Sequence, residues 1–211
     1  MRVMSVRVQE TLERAPRVWI GGGTCAGKST AAEEWSRGTK WVPFSCDELF
    51  WDHADSLPGS KTARAATMPA RERLGQPVDE QVANVFEIAA ERWPLTLADL
   101  AASPWPRVVE GESIRPSALA DLGVPATDAV FLVVPPRVRR ERYATREWAA
   151  EIVAGCGDPA AAMEAWMLRD DLVQARIADE AREHGYGVFD ATDPRELAAA
   201  ADQVRSAIAR A

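Results

Sequence analysis

The run Gly22, Gly23, Thr24, Cys25, Ala26, Gly27, Lys28, Ser29 fits the pattern G-x-x-x-x-G-K-[ST], with Thr30 next in line. Such a loop turns consecutive backbone N–H groups toward a polyphosphate at a helix N-terminus, and its glycines permit the dihedrals and the close approach. In that chemistry Lys28 brings a mobile positive charge to the β and γ phosphates. Ser29 offers a hydroxyl to Mg²⁺, and Thr30 is placed to touch the α phosphate. Lysine is otherwise scarce: only Lys28, Lys40 and Lys61 occur, arginine supplying the other basic residues. A compact point charge has therefore been kept where it suits phosphate better than a planar fork. The competing explanation is a glycine-rich turn opening an ordinary helix.

The elements that must position this loop read as alternating strands and helices. Residues 17–20 form an apolar entry strand, and helix formers follow the loop to about Ser36, with Gly38 as a stop. Residues 41–45 read as a second strand that Pro43 demotes toward an edge. It ends at Cys46 and Asp47. From 54 to 77 periodicity is lost and Pro, Gly, Ser, Thr and Arg accumulate, which predicts a flap or a partly disordered segment. Apolar residues then recur at helical spacing from Val78 to Trp93. Residues 107–109 are a third strand, delivering Glu110, Gly111 and Glu112. Residues 129–134 are continuously apolar, as a parallel strand buried on both faces must be.

Pro136 opens an arginine-dense helical stretch through Trp148 to a break at Gly155-Cys156-Gly157, and a helix would present Arg139, Arg142 and Arg146 on one face. Arg137, Arg139 and Arg140 read better as a solvated face paired with Glu141 and Glu147. Asp158-Pro159 caps a long helix ending before Gly185, residues 186–189 are a fifth strand, and Asp193-Pro194-Arg195-Glu196 starts a last helix. Residues 1–16 are an extension, a short strand or helix on the edge. The order implies an α/β fold with a parallel sheet covered on both faces and ligands outside the strand C-termini. The loop, Asp47 and Glu110 all follow strands on that side.

At 211 residues and 47% apolar content the chain suits one domain. A net charge of −7 argues against broad nucleic-acid or anionic-membrane binding. The first seventeen residues lack the apolar segment of a secretion signal, and no apolar run spans a bilayer, so a soluble cytoplasmic protein is expected, as monomer or homodimer. Cys25, Cys46 and Cys156 are widely spaced, with only His53 and His184 as companions, which indicates neither a zinc site nor a disulfide framework. His53 is expected on the surface or on a helix.

The phosphate loop alone does not choose between a switch GTPase, a motor ATPase and a kinase. No N-K-x-D guanine motif occurs, and no apolar strand ends in an Asp-Glu pair. The loop, Asp47 about twenty residues after Lys28, and the arginines of 137–157 together resemble the P-loop small-molecule kinases. That group contains nucleoside monophosphate kinases, shikimate and gluconate kinases and chloramphenicol phosphotransferase. The resemblance covers most of the chain from Arg17 onward. It implies a P-loop NTPase three-layer sandwich with sheet order 2-3-1-4-5, a helical lid over 137–157 that closes on ATP, and a flap over 54–77 covering the acceptor. It also implies that Asp47 engages an acceptor hydroxyl, that Arg142 and Arg146 attend the phosphoryl group, and that Asp190 and Thr192 lie along the adenine.

As general base Asp47 is preferred to Asp52, because a position directly after a strand is better fixed; the rival reading of Asp47 is a helix cap. Glu110 stands where a Walker-B carboxylate stands, to hold a Mg²⁺-bound water or contact the acceptor. Glu112 is a weaker candidate, and Arg169 a further clamp. Trp51, one turn beyond Asp47, could stack on a planar acceptor. No second-site phosphate-binding arginines can be matched, which favours a hydroxyl acceptor over a nucleoside monophosphate. The expected activity is ATP- and Mg²⁺-dependent phosphorylation of a small-molecule hydroxyl, with GTP as an alternative donor and an antibiotic, a nucleoside or a metabolite as acceptor. A regulatory nucleotide-binding protein and, more weakly, a nucleic-acid end kinase are the rival classes.

Overall fold

The computed structural model describes residues 17–103 and 106–210, so the expectation for residues 1–16 lies outside it. Five parallel strands, β1 (Arg17–Gly22), β2 (Val42–Ser45), β3 (Arg107–Glu110), β4 (Ala129–Val133) and β5 (Gly187–Asp190), lie in the order β2-β3-β1-β4-β5. The strand boundaries fall within a residue of those expected from the apolar runs, except that β1 runs two residues further, to Gly22.

Alternate residues of each strand enter different cores, as the period of two requires. Val18, Ile20, Val108, Val130 and Leu132 face one side, where they meet α1 (Lys28–Ser36) and the last helix, α10 (Pro194–Arg210), through Ala32, Trp35, Ala200 and Val204. Trp19, Val109, Ala129 and Phe131 face the other side. There they meet α5 (Val78–Ala102) and α9 (Pro159–Glu183) through Leu97, Leu100, Val173 and Ile177. Helices on both faces leave only the strand ends open. The expected caps are present: the Asp158 carboxylate accepts the Ala161 N–H, and that of Asp193 accepts the Arg195 N–H. Glu196 departs from the capping-box expectation, accepting instead from the Asp190 N–H.

Two segments differ from the sequence expectation. The stretch 54–77 is largely helical, comprising the end of α2 (Phe50–Ser56) and all of α3 (Lys61–Thr67) and α4 (Ala70–Arg73). These pieces are shorter than the window over which periodicity becomes visible, and Ser60 caps one of them by accepting the Ala63 N–H. The arginine-dense stretch is two helices, α7 (Pro136–Ala144) and α8 (Glu147–Ala154), separated at Thr145–Arg146. Arg146 is therefore not on the helix that carries Arg139 and Arg142. A third apolar cluster ties this pair to the rest: Tyr143, Ala149 and Val153 pack on Trp166 and Met167 of α9, on Leu74, and on Cys25 of the glycine loop. Between β3 and β4 lie a short α6 (Pro116–Asp121) and a single 3-10 turn at Ala126–Asp128. Among the described residues no helix is long and apolar enough to cross a membrane.

Candidate phosphate loop and acceptor cavity

Parallel register brings the site together. Ile20 pairs with Glu110 and Ser45 pairs with Glu110, so β2 and β3 end level while β1 runs two residues further against β4, and the residues that follow, Gly23 onward, Cys46–Asp47 and Gly111–Glu112, emerge on the same side of the sheet. The glycine loop runs from β1 into α1. Gly22 has a φ of +125°, and a Cβ there would lie 2.0 Å from the Leu132 carbonyl oxygen, so only glycine lets the loop leave the sheet at this point. Gly27 is the N-cap of α1 with no side-chain cap, and Ala31 N–H donates to its carbonyl. Lys28 is buried and its Nζ donates to the Gly23 carbonyl at 2.9 Å, folding the ammonium back across the loop.

Ser29 and Glu110, the two residues expected at the metal, are in contact. Glu110 is 2% exposed and accepts hydrogen bonds from the hydroxyls of Ser45 and Ser29. Burial, and then the neighbouring Asp47 charge, raise its carboxyl above the usual 4.5 in spite of those hydrogen bonds and of Lys28. An acid whose pKa is raised by folding gives up stability as pH climbs from its unfolded value through the folded one. Glu110→Gln is therefore expected to unfold at the higher temperature at pH 8, by about 2–4 °C per kcal/mol recovered for a chain of this size. The gap should close on acidification towards pH 4.5, below the raised value. Thermal unfolding of both proteins across pH 4–8 checks this, and a pH-independent difference would contradict it.

Asp47 is exposed and does not cap α2, whose N-cap is Leu49. Its carboxylate accepts from the Glu112 N–H at 2.9 Å and, more distantly, from the Ser113 hydroxyl at 3.5 Å. Gly111 makes the approach feasible, since a Cβ there would press on Cys46 Cβ at 2.9 Å and Asp47 Oδ1 at 3.1 Å. Behind it, Arg92 donates to the Cys46 carbonyl and its Nε donates to His53 Nδ1. That leaves the His53 proton on Nε2, 2.8 Å from Asp99. His53 is on a helix but buried at 3% exposure, not on the surface: α2 turns it inward onto Arg92.

Glu112, ranked low from sequence, is central. Its Oε1 accepts the Thr24 hydroxyl at 2.8 Å while its N–H holds Asp47, so one residue joins the glycine loop to the carboxylate after β2. Burial, then the charge of Asp170, raise its carboxyl. The only sequence signal was a second acid two positions after Glu110.

The arginines divide differently from the expectation. Arg137 pairs with Glu141 as expected on a solvated face, and Arg140 reaches Glu164 and Asp171. Arg139 does not belong there: it is fully buried, paired with Asp171, and donates to the Thr24 carbonyl at 3.3 Å. Position 139 and Tyr143 share the inward face of α7, one turn apart. Arg142 donates to the Cys25 carbonyl, and Arg146 stacks on the Tyr143 and Trp148 rings, 5.6 Å from each centroid. Its charge is felt by the Cys25 thiol, which burial raises. Both arginines thus border the glycine loop.

Next to Asp47 lies a cavity of about 620 Å³, walled by α2 to α5 and by the segment after β3. Asp47, Trp51, Glu112, Ser113, Arg115 and Arg169 are among its lining, and Trp51 is 64% exposed. Asp52 is exposed and is not part of that lining. Arg169 donates to the buried Asp170, which also accepts the Tyr143 hydroxyl. Asp190 and Thr192 form a closed turn after β5, Asp190 Oδ1 accepting from both the Thr192 N–H and its hydroxyl at 2.7 Å.

No family model matches the chain, and no curated protein matches it significantly by sequence. Solved structures do. A crystal structure of shikimate kinase from Bacteroides thetaiotaomicron superposes over 92% of this chain and 98% of its own, with a TM-score of 0.50 at 15% identity. A gluconokinase from Sinorhizobium meliloti 1021 covers 93% and 94%, with a TM-score of 0.49 at 18% identity. With its sheet order β2-β3-β1-β4-β5, its glycine loop between β1 and α1 and helices on both faces, the chain has the P-loop kinase fold seen in shikimate kinase.

Proposed function

We propose that this chain is an ATP- and Mg²⁺-dependent phosphotransferase that moves the γ-phosphoryl group to a hydroxyl of a small molecule held in the cavity beside Asp47. The observation that carries this reading is the hydrogen-bonded segment Thr24–Glu112–Asp47, which links the glycine loop to a carboxylate on the wall of the cavity. A nucleotide-binding protein without transfer has no need of a carboxylate so held.

The residues present fit the nucleotide and the metal. The N-terminus of α1 carries no side-chain cap, Lys28 Nζ has among the described residues only a backbone carbonyl as its hydrogen-bond partner, and the Ser29 hydroxyl lies against Glu110. Gly22 to Thr30 would hold the phosphates, Ser29 and Glu110 the metal, and the turn at Asp190 and Thr192 the base. A metal held there would supply charge neutralisation at the phosphates.

Asp47 orients the acceptor hydroxyl and accepts its proton, which requires hydrogen-bond reach and a fixed carboxylate. The Glu112 N–H and Ser113 hydroxyl fix it from one side and leave the cavity side free. Lys28 leaves the Gly23 carbonyl to offset charge on the phosphoryl oxygens, joined by Arg142 and Arg146. Arg139 holds the Thr24 carbonyl from behind and is a support of the loop. The pair α7 and α8 acts as the lid over 137–157 that excludes water, and the helices of 54–77 cover the acceptor. Trp51 stacks on a planar portion of it.

Within this class an antibiotic or a nucleoside-like compound is the acceptor. Incubation with Mg·ATP and a panel of nucleoside-type and other hydroxylated compounds is expected to give a mass gain of one phosphoryl group on at least one of them. No product across a broad panel would count against the reading.

A further inference from the structure

The cavity next to Asp47 is basic in a chain that is acidic overall: six basic side chains line it against three acidic ones, Asp47, Glu80 and Glu112. Four of the six have partners. Lys61 pairs with Glu87, Arg64 donates to the Gly59 carbonyl, Arg92 holds the Cys46 carbonyl, and Arg169 holds Asp170. The remaining two, Arg73 and Arg115, have no carboxylate within ion-pair distance among the described residues.

Arg115 is the telling one. It is 7% exposed, yet its Nε and Nη1 have no hydrogen-bond partner, and Nη2 only reaches the Val85 carbonyl at 3.4 Å. Its guanidinium lies over the Phe86 ring at 4.1 Å, a contact that sets the plane of the fork without satisfying its N–H groups. A buried guanidinium with two idle donors is costly unless something anionic completes it. Burial holds its pKa down to about 10, against the opposing pull of Glu112 and Glu180. Arg73 shows the same deficit on a smaller scale, its Nε buried without a partner.

We infer that the molecule taken into this cavity carries an anionic group, a carboxylate or a phosphate, that docks on the Arg115 fork. The inference rests on the cavity being the acceptor site of the proposed phosphotransferase. Planar, bidentate recognition of a carboxylate or phosphate is what a guanidinium does and an ammonium does not. Arg115 also belongs to the segment, Glu112 to Arg115, whose first residues hold Asp47. An acceptor gripped at Arg115 therefore has its anion and its reacting hydroxyl referred to one short stretch of backbone. An analogue of the acceptor without that anion leaves the fork unpaired and binds more weakly on that account. Sequence reading found no second-site arginine because Arg115 and Arg73 come from different elements, and only the fold brings them to one cavity.

The test uses binding, so that it does not depend on turnover. The intact protein is saturated with Mg·ADP to occupy the glycine loop, then titrated by calorimetry with malonate and, separately, with methyl phosphate. At least one of the two is expected to bind saturably, and which one separates a carboxylate from a phosphate. Arg115→Gln is expected to weaken that binding at least tenfold, Arg115→Lys to retain part of it, and Arg115→Gln without ligand to unfold no lower than the parent. A structural arginine would behave oppositely in that last measurement. Absence of binding by both anions, equal binding by Arg115→Gln, or a large loss of its stability would each overturn the inference. Anion binding without phosphorylation of any acceptor would leave this inference standing and remove the phosphotransferase; phosphorylation of a neutral acceptor at equal rates by parent and Arg115→Gln would do the reverse.

Discussion

Lys28→Ala is expected to weaken ATP binding by about 10–100-fold, the worth of one or two charge-assisted hydrogen bonds. Phosphoryl transfer should fall further, by about 10²–10³-fold, because the ammonium follows charge that grows on the moving group. The side chain is buried and, among the described residues, its one hydrogen bond is to the Gly23 carbonyl, a weak resting partner that a phosphate oxygen replaces without rebuilding the loop. Loss of the ammonium also removes the one cation that opposes the upward shifts of both Glu110 and Glu112, so both carboxyls should hold their protons to still higher pH. Lys28→Arg is expected to resemble the alanine variant more than the parent, since a planar fork does not fit a site closed by the loop's own carbonyls. Nucleotide titration followed by a transfer assay at saturating ATP separates the two losses. A Lys28→Ala protein that binds ATP as the parent does would remove the phosphate site from this loop.

How much of this was legible in the sequence depends on the range of the interaction. The glycine loop is a contiguous motif read from backbone geometry, and the structure has positive φ at Gly22 and Gly27 with the helix starting at Lys28. The central strands β1, β3 and β4 were readable because they are mostly buried and so carry apolar runs, whereas the edge strands β2 and β5 are only partly buried and were read from shorter ones; the sheet order was implied by the resemblance before it was observed. What failed was the assignment of side chains whose partners lie far away along the chain. Arg139 looked like part of a charged surface because Glu141 and Glu147 are near in sequence; its actual partner, Asp171, is on α9. Buried His53 and the bridging Glu112 were underrated for the same reason, their partners being Asp99, Arg92 and Thr24. The helices within 54–77 escaped because four to seven residues do not complete enough turns to show a period.

Asp47→Asn is expected to leave ATP binding within about twofold and to lower transfer to the acceptor by about 10²–10⁴-fold, the range for loss of a positioned general base. Stability should change little, and the reason is local. The amide oxygen of asparagine can still accept the Glu112 N–H, and the Ser113 hydroxyl, which can turn, can accept from the new amide nitrogen. The carboxylate's second function, taking a proton from a hydroxyl in the cavity, has no such substitute. The contrast with Lys28→Ala is what makes the pair informative: one removes binding and transfer together, the other transfer alone. A protein that binds nucleotide to order its lid for a partner would not distinguish Asp47→Asn from the parent by any measure of nucleotide affinity or lid protection. It would also show no transfer to lose. Should Asp47→Asn transfer phosphoryl groups at the parental rate, the base must be sought elsewhere, and Glu112 is the first place to look. It lines the same cavity, touches the glycine loop through Thr24, and retains its proton to higher pH than an ordinary glutamate. In that case the transfer rate should rise with pH above the usual glutamate range as Glu112 ionises, and Glu112→Gln should abolish the rise. With Asp47 as the base, Glu112→Gln should instead lower transfer without removing its pH dependence, because only the link to Thr24 is altered while the backbone N–H that holds Asp47 remains.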